Sequence, residues 1–422
     1  MRPHSLRGAR RRGQAGVRSR RPLDRRKASD EALFEPAEMS QAAQYTPAGP
    51  EQPARRRGRT RLLLVPLGIV VLLLAIPGGA YAFSQNRLSQ AQASEASSAY
   101  AQALREYATV ESLAGNPVSR VLLGELADRA QGGTAETHFL WGVQLRQQGK
   151  FAEGETQLRA TVKSGFADWG ARGNAALADL FYDWGKALVA DKQFQAGIDK
   201  YKQVGAIDPT GNLAASTEAA LATTYSAFAQ WYVQQVPADY PNALVWYQNL
   251  VKDFPDSPEA KQAQASALPQ TLYNAGLAFV QQLKYQQARD AMTELVQNYP
   301  KTSWATQAKA ALAAKQPLTG LLIVSDQNPA PVANRLVRIA TKWRIVKAHT
   351  YDDAGGPTYN ATTDAAGNFS VVGGIPPGQN YLITWWDPAR KTFVTTFLSD
   401  NVPVNTITIN PLEPAHTTVA TS

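Results

Sequence analysis

Leu272-Tyr273-Asn274-Ala275-Gly276-Leu277-Ala278-Phe279, followed by Tyr285-Gln286-Gln287-Ala288-Arg289-Asp290-Ala291-Met292 and closed by Leu295 and Tyr299-Pro300, decides the fold. Leu272, Ala275, Gly276 and Phe279 recur at three- and four-residue steps, as do Tyr285, Ala288, Met292 and Leu295, so each run is one apolar stripe of a helix. The small residues Gly276 and Ala288 let two antiparallel helices approach closely. Leu272, Phe279 and Met292 fill the seam, and Pro300 ends the second helix.

The pattern repeats upstream. Aligned on Phe151, Phe194, Tyr240 and Tyr285, the spacings are 43, 46 and 45 residues. One unit reads Phe181, Trp184-Gly185, Leu188, Phe194, Gly197, Tyr201, Val204 and Pro209. The one before it reads His138, Trp141-Gly142, Leu145, Phe151, Gly154, Leu158 and Thr161, without a closing proline. The third unit has a good second helix (Tyr240, Ala243, Tyr247, Leu250, Pro255), but its first helix lacks the glycine. In the linker Phe254-Pro255-Asp256-Ser257-Pro258, proline closes one helix, Ser257 can cap the next and Pro258 sits in its first turn. A single hairpin cannot bury its own apolar face, so residues 136–316 are expected to stack as an α-solenoid of about four units.

These residues resemble the tetratricopeptide repeat. The resemblance implies a groove lined by the first helix of each pair, able to take an extended peptide or a partner helix. The matching outward positions are Phe139, Val143 and Arg146; Tyr182, Lys186 and Val189; Tyr273, Leu277 and Val280. Among them Arg146 and Lys186 could bind a carboxylate, with Tyr182 and Tyr273 as flat walls.

After Gln316-Pro317 the texture changes to Val, Ile, Thr, Asn, Pro and Gly. The runs 318–325, 335–340, 368–372, 381–386 and 406–410 read as strands between turn residues. Asp364-Ala365-Ala366-Gly367 is a tight turn in which Gly367 can take positive φ, and Pro376-Pro377-Gly378 is a second turn. Leu321, Ile323, Val337, Ile339, Phe369, Val371, Tyr381 and Ile383 form the expected inward face. Residues 318–412 resemble the carboxypeptidase-regulatory-like β-sandwich, also grouped with the collagen-adhesin B-type repeats, and the resemblance implies an antiparallel sandwich. Residues 413–422 read as a disordered tail. In Trp385-Trp386 alternate strand residues face opposite sides, so one ring must leave the core, either to meet the helical part or to stack on a sugar.

Toward the other end, 62–83 is an uncharged apolar run preceded by Arg55-Arg56-Arg57-Gly58-Arg59-Thr60-Arg61. About 20 apolar residues span a bilayer, and flanking Lys and Arg stay inside. This predicts a single transmembrane helix with residues 1–61 cytoplasmic and the rest extracytoplasmic. Ala80-Tyr81-Ala82 leaves open the alternative of cleavage after Ala82 and secretion, a reading that Pro77-Gly78-Gly79, expected to break the helix, also suits. Residues 1–61 carry 16 Lys and Arg against 6 Asp and Glu, few aromatics, and a composition that cannot fold on its own. Residues 84–135 read as a stalk and leading helices broken at Asn116-Pro117, with Tyr100, Leu104, Tyr107 and Leu113 at helical spacing.

The formal net charge of +9 belongs to that tail, since the remaining 361 residues carry 27 Lys and Arg against 28 Asp and Glu. A neutral body argues against nucleic acid as its partner. The absence of cysteine excludes disulfides, thiolate metal sites and cysteine nucleophiles. The four histidines stand in no metal-binding arrangement, no G-x-S-x-G or S-x-x-K occurs, and neither Gly149-Lys150 nor Gly185-Lys186 continues as a phosphate loop. The expectation is a multidomain, non-enzymatic protein of a bacterial cell envelope without metal or cofactor. It would be a membrane-anchored scaffold for a protein or peptide partner or, alternatively, a surface adhesin binding a wall polymer or other carbohydrate through Trp385 or Trp386.

Overall fold

The computed structural model describes residues 64–325, 327–347, 350–400 and 402–421. Residues 1–61, read above as a basic cytoplasmic tail, and the start of the apolar run lie outside them. Among the described residues no helix is long and apolar enough to cross a membrane. From Ile69 onward the chain forms one unit, with helices first and strands second.

Helices α1 (Leu64–Ala96) and α2 (Tyr100–Leu113) precede α3 (Pro117–Gln147). The chain then alternates α4 (Phe151–Lys163), α5 (Ala167–Ala190), α6 (Phe194–Ile207), α7 (Ala214–Val233) and α8 (Tyr240–Asp253). A short α9 (Pro258–Gln262) passes through a π-helical turn, Ala263–Ala267, into α10 (Leu268–Gln281), and α11 (Tyr285–Asn298) and α12 (Ser303–Ala313) follow. The four anchor residues of the alignment, Phe151, Phe194, Tyr240 and Tyr285, each open a helix. Ser257 Oγ accepts from Ala260 N at 3.1 Å, the expected cap, and Thr302 Oγ1 does the same for Ala305 N at 3.1 Å.

The repeat extends further toward the N-terminus than the sequence pattern suggests. Taking Tyr100 as a fifth anchor, the third position onward holds Ala103, Gly154, Gly197, Ala243 and Ala288. The seventh holds Tyr107, Leu158, Tyr201, Tyr247 and Met292, and the tenth Val110, Thr161, Val204, Leu250 and Leu295. All of them are buried. The turns agree as well: Ser98, Gly149, Lys192 and Leu283 have positive φ, each two residues before its anchor. The region read as a stalk is therefore a packed hairpin in register with the rest. Its buried stripe runs through Ala103, Tyr107 and Val110 rather than Leu104 and Leu113, which are only half-buried. The helix also runs unbroken through Pro77-Gly78-Gly79, contrary to the expected break. Asn116 does separate α2 from α3, its side chain accepting from Val118 N and Ser119 N at the start of α3.

Close approach explains the small residues. A Cβ on Gly142 would lie 2.6 Å from Leu158 Cγ, and one on Gly154 would lie 3.1 Å from Gly142 O, so α3 and α4 touch backbone to backbone there. In the third unit Trp231 occupies the glycine position, nine residues before Tyr240. There the connection lengthens to six residues, 234–239, and the ring joins Phe194, Phe228 and Tyr232 in an aromatic cluster. Leu158, Leu250, Leu272 and Leu295 are fully buried, each worth about 1.5–3 kcal/mol relative to exposure.

The strands are β1 (Leu318–Ile323), β2 (Leu336–Ala340), β3 (Trp343–Lys347), β4 (Thr350–Asp353), β5 (Thr358–Thr362) and β6 (Asn368–Ser370). They continue as β7 (Asn380–Asp387), β8 (Thr392–Val394), β9 (Phe397–Ser399), β10 (Val402–Pro403), β11 (Thr406–Thr408) and β12 (Ala415–Ala420). One sheet runs β12-β1-β6 and the other β11-β7-β2-β5, with β8 on β7. Their inner faces share a core of Leu318, Leu322, Val337, Ile339, Phe369, Tyr381, Ile383, Trp385 and Val419.

Three expectations are corrected here. Residues 415–420 are a strand, not a disordered tail, and Val419 is fully buried. That strand runs parallel to β1, so the domain is not purely antiparallel. In β1 the face turned to the shared core is Leu318, Gly320 and Leu322 rather than that of Leu321, which is half-buried, while Ile323 is buried but outside that core. Phe369 packs directly over Gly320, where a Cβ would lie 2.2 Å from its ring. The turns follow expectation: Gly367 has φ +79°, and Asp364 Oδ1 accepts from Ala366 N at 2.9 Å and Asn368 N at 2.8 Å.

The helical and sheet parts meet at a defined junction. Gln316 and Ile375 exchange two backbone bonds of 2.8 Å, and Leu412 packs against the helical core.

Candidate functional site

Three helices, α3, α5 and α10, carry the positions expected to face a partner. On α3, Phe139 is half-buried, its ring 5.5 Å from that of Trp169 on α5. Near the end of α3, Arg146 Nε donates to Asp183 Oδ2 at 2.7 Å and Nη1 donates to Asp179 Oδ2 at 2.8 Å. Asp179 and Asp183 lie one turn apart on α5, so both carboxylates face the same guanidinium. Arg146 thus ties α3 to α5, and the group it serves carries a formal charge of −1. The expectation that Arg146 receives a partner's carboxylate is corrected on that ground.

Tyr182 and Tyr273 are half-buried in the array. The Tyr182 ring lies 5.7 Å from Tyr201 on α6, where burial pushes the Tyr201 phenol up to about 12. The Tyr273 ring lies 5.5 Å from Trp304 on α12. Their faces are spent largely on neighbouring helices, which explains the aromatics without a ligand. Lys186 is exposed one turn after Tyr182, its Nζ 5.8 Å from that ring. Leu277 is exposed one turn after Tyr273. Val143, Val189 and Val280 are half-buried. Lys186 and Leu277 are therefore the two named positions that present accessible side chains.

In the sheet domain Trp385 faces inward and is 6% exposed, whereas Trp386 is 37% exposed. The alternation argument holds. Trp386 packs edge-on to Phe393 of β8 at 5.3 Å, within its own domain. Contact between the helices and the sheets runs through Gln316, Arg289 and Leu412 instead.

Sequence reasoning missed two half-buried polar groups. Glu95 Oε2 accepts from Tyr107 OH at 3.2 Å and Thr137 Oγ1 at 2.9 Å, and burial raises its pKa above the usual carboxylate range. Lys200 Nζ sits 3.5 Å from the centre of the Trp184 ring and 3.6 Å from Glu155 Oε2. Neither group has a local signature, since each partner lies on another helix. The pair Asp179 and Asp183, four residues apart, was visible as one acidic face, but its cation, Arg146, lies more than thirty residues upstream.

Residues 270–302 match the family model of the tetratricopeptide repeat. Among solved structures, a tetratricopeptide-repeat protein from Bacteroides fragilis is similar at 17% identity, covering 54% of this chain and 98% of its own, with a TM-score of 0.28. YrrB, a tetratricopeptide protein described as having an unusual peptide-binding site, is 13% identical over 53% of this chain and 90% of its own, with a TM-score of 0.18. MamA is 14% identical over 52% and 93%, with a TM-score of 0.19. No curated protein matches the chain. Tetratricopeptide repeats are present, and that statement rests on the match at 270–302 and on the register of the hairpins. The sheet domain is strand-rich as expected, and nothing ties it to the carboxypeptidase-regulatory-like family.

Proposed function

We propose that the chain is a non-enzymatic scaffold whose tetratricopeptide array holds a protein or peptide partner, on the face that presents Lys186 and Leu277. The observation that carries this reading is the tetratricopeptide match at 270–302 within a continuous, in-register stack of hairpins. Such stacks leave one face of each hairpin unpacked and available for recognition. The uncharged run 62–83 and its arginine flank support an extracytoplasmic body held by a single membrane helix, with residues 1–61 inside the cell. The sheet domain, resembling the carboxypeptidase-regulatory-like sandwich, terminates the array.

The test compares proteins cross-linked to the full chain in its native membrane with those cross-linked to a Lys186→Glu, Leu277→Asp variant. Both substitutions fall on exposed positions, so the thermal melt should not move. A partner present with the wild type and absent with the variant supports the reading. An unchanged set of partners defeats it. Carbonate extraction of the same membranes tests the anchor: a chain that keeps residues 1–83 resists extraction, whereas one beginning at Phe83 is released.

A further inference from the structure

Between the end of β7, the β8–β9 segment and the loop before β2 lies a cleft of about 810 Å³. That is within the range of about 300–1,000 Å³ typical of small-molecule sites. Its chemistry-bearing residues are Arg335, Trp385, Asp387, Arg390, Thr395 and Phe397. We propose that this cleft binds an acidic saccharide, with Arg335 and Arg390 receiving the carboxylate and Phe397 supplying an apolar wall for the sugar ring.

Three observations carry the assignment. The first is pre-organisation. Arg335 Nη1 donates to Trp386 O at 2.9 Å, which fixes the guanidinium at the end of β7. Asp387 Oδ1 accepts from Ala389 N at 2.9 Å and Arg390 N at 3.3 Å, and its Oδ2 lies 3.6 Å from Arg390 Nε. Asp387 is thus held in place and remains an acceptor for hydroxyl donors.

The second is charge. Two guanidinium groups face one carboxylate, so the ligand that balances the cleft is an anion. A guanidinium fork matches a planar carboxylate with two parallel hydrogen bonds.

The third is the state of the backbone. Val324 N, Val332 N and Thr421 N donate to Ala330 O, Leu322 O and Ile323 O, and Thr396 O accepts from Val404 N. These groups are already paired, so none of them is open to an added peptide strand. The cleft offers side chains instead: guanidinium donors, a carboxylate acceptor, and the Thr395 hydroxyl, whose hydrogen goes to Ile383 O at 3.0 Å and which accepts from Asn405 Nδ2 at 3.5 Å, leaving one lone pair as an acceptor. A sugar ring, with apolar C–H faces and hydroxyls at its rim, fits that mixture of aromatic wall and two-way hydrogen bonding.

The proposal is independent of the helical array and of any partner held there. The experiment titrates tetragalacturonate, and cellotetraose as its neutral counterpart, into the purified full chain by calorimetry. Tetragalacturonate should bind, cellotetraose should bind more weakly, and the affinity of the acid should fall as salt is raised. Arg390→Gln should weaken tetragalacturonate binding by about tenfold, the loss of one charge-assisted contact. Because Arg390 is 72% exposed, the change leaves the fold intact. Arg335→Gln should weaken it comparably. Failure of tetragalacturonate to bind, equal affinity for the two oligosaccharides, or wild-type affinity in both arginine variants overturns the assignment. Preference for a short peptide with a free C-terminal carboxylate over tetragalacturonate overturns it as well.

Discussion

Arg289 Nη1 donates to Glu413 Oε2 at 2.8 Å and to Pro411 O at 3.3 Å, joining α11 to the segment that leads into β12. Asn410 Nδ2 donates to the same Glu413 oxygen at 3.2 Å, and Leu412, at φ +66°, presses against the helical core. The link is only partly exposed, with side-chain exposures of 19% and 34%. In a double-mutant cycle of Arg289→Ala and Glu413→Ala, the coupling energy should be about 1 kcal/mol, read from urea unfolding. Because the link joins the two parts of the molecule, thermal unfolding of Arg289→Ala should be broader than that of the wild type or split in two.

Two glycines on α3 should respond in opposite directions to alanine. Gly132 has open space around it, so Gly132→Ala should stabilise by about 0.5–1 kcal/mol through helix propensity. At Gly142 a Cβ would meet Leu158 Cγ at 2.6 Å and Leu158 N at 3.2 Å, and Leu158 is fully buried with nowhere to move. Gly142→Ala should destabilise by about 1–3 kcal/mol despite the same propensity gain. Chemical denaturation of the two variants checks both signs.

Val419 lies fully buried between the sheets. Val419→Ala should cost about 2 kcal/mol of sheet-domain stability through the cavity it leaves. Thr417→Ala, at a half-exposed position of the same strand, should cost well under half of that. Similar losses for the two would mean that β12 does not seal the core.

Glu294 gives a pH-dependent expectation. Burial raises its pKa, while the Gln248 Nε2 donor, 2.7 Å from Oε2, opposes the shift. A carboxyl whose folded pKa lies above its unfolded value binds the proton more tightly when folded. It therefore penalises folding once both states are ionised, and the penalty disappears as pH falls below the unfolded value. Glu294→Gln should melt higher than the wild type at about pH 7, with the two curves converging below about pH 4, under the ordinary carboxylate range. A pH-independent difference would remove ionisation as the cause.

The helical array was legible because its grammar is local. An aromatic at the anchor, a small residue three positions later and a proline just after the helix all belong to one helix and its end, and Phe151, Phe194, Tyr240 and Tyr285 each open a helix as read. The hairpin anchored on Tyr100 escaped because it stands 51 residues before Phe151 and has Ala91 where Gly142 and Gly185 stand. In the sheet domain the turns at Gly367 and Gly378 were legible from residue type alone. The face of β1 was not, since Leu321-Leu322-Ile323 is continuously apolar and alternation cannot choose between the two sides. It took the Phe369 ring over Gly320 to choose. Strand β12 was missed because Ala415-His416-Thr417-Thr418-Val419-Ala420 shows little hydrophobicity, and its pairing with β1 spans nearly a hundred residues. At the candidate site, the outward position of Lys186 and Leu277 followed from helical period. The engagement of Arg146 depended on a neighbouring helix and could not be read from its own.

The parallel pairing of β1 with β12 has a mechanical consequence. The helical array enters the sheet domain at the start of β1, beside the start of β12, and the chain leaves β12 at the opposite end of that ladder. Tension applied between the array and any attachment beyond Ala420 would load the ladder along its length, so its hydrogen bonds would be sheared together rather than peeled one at a time.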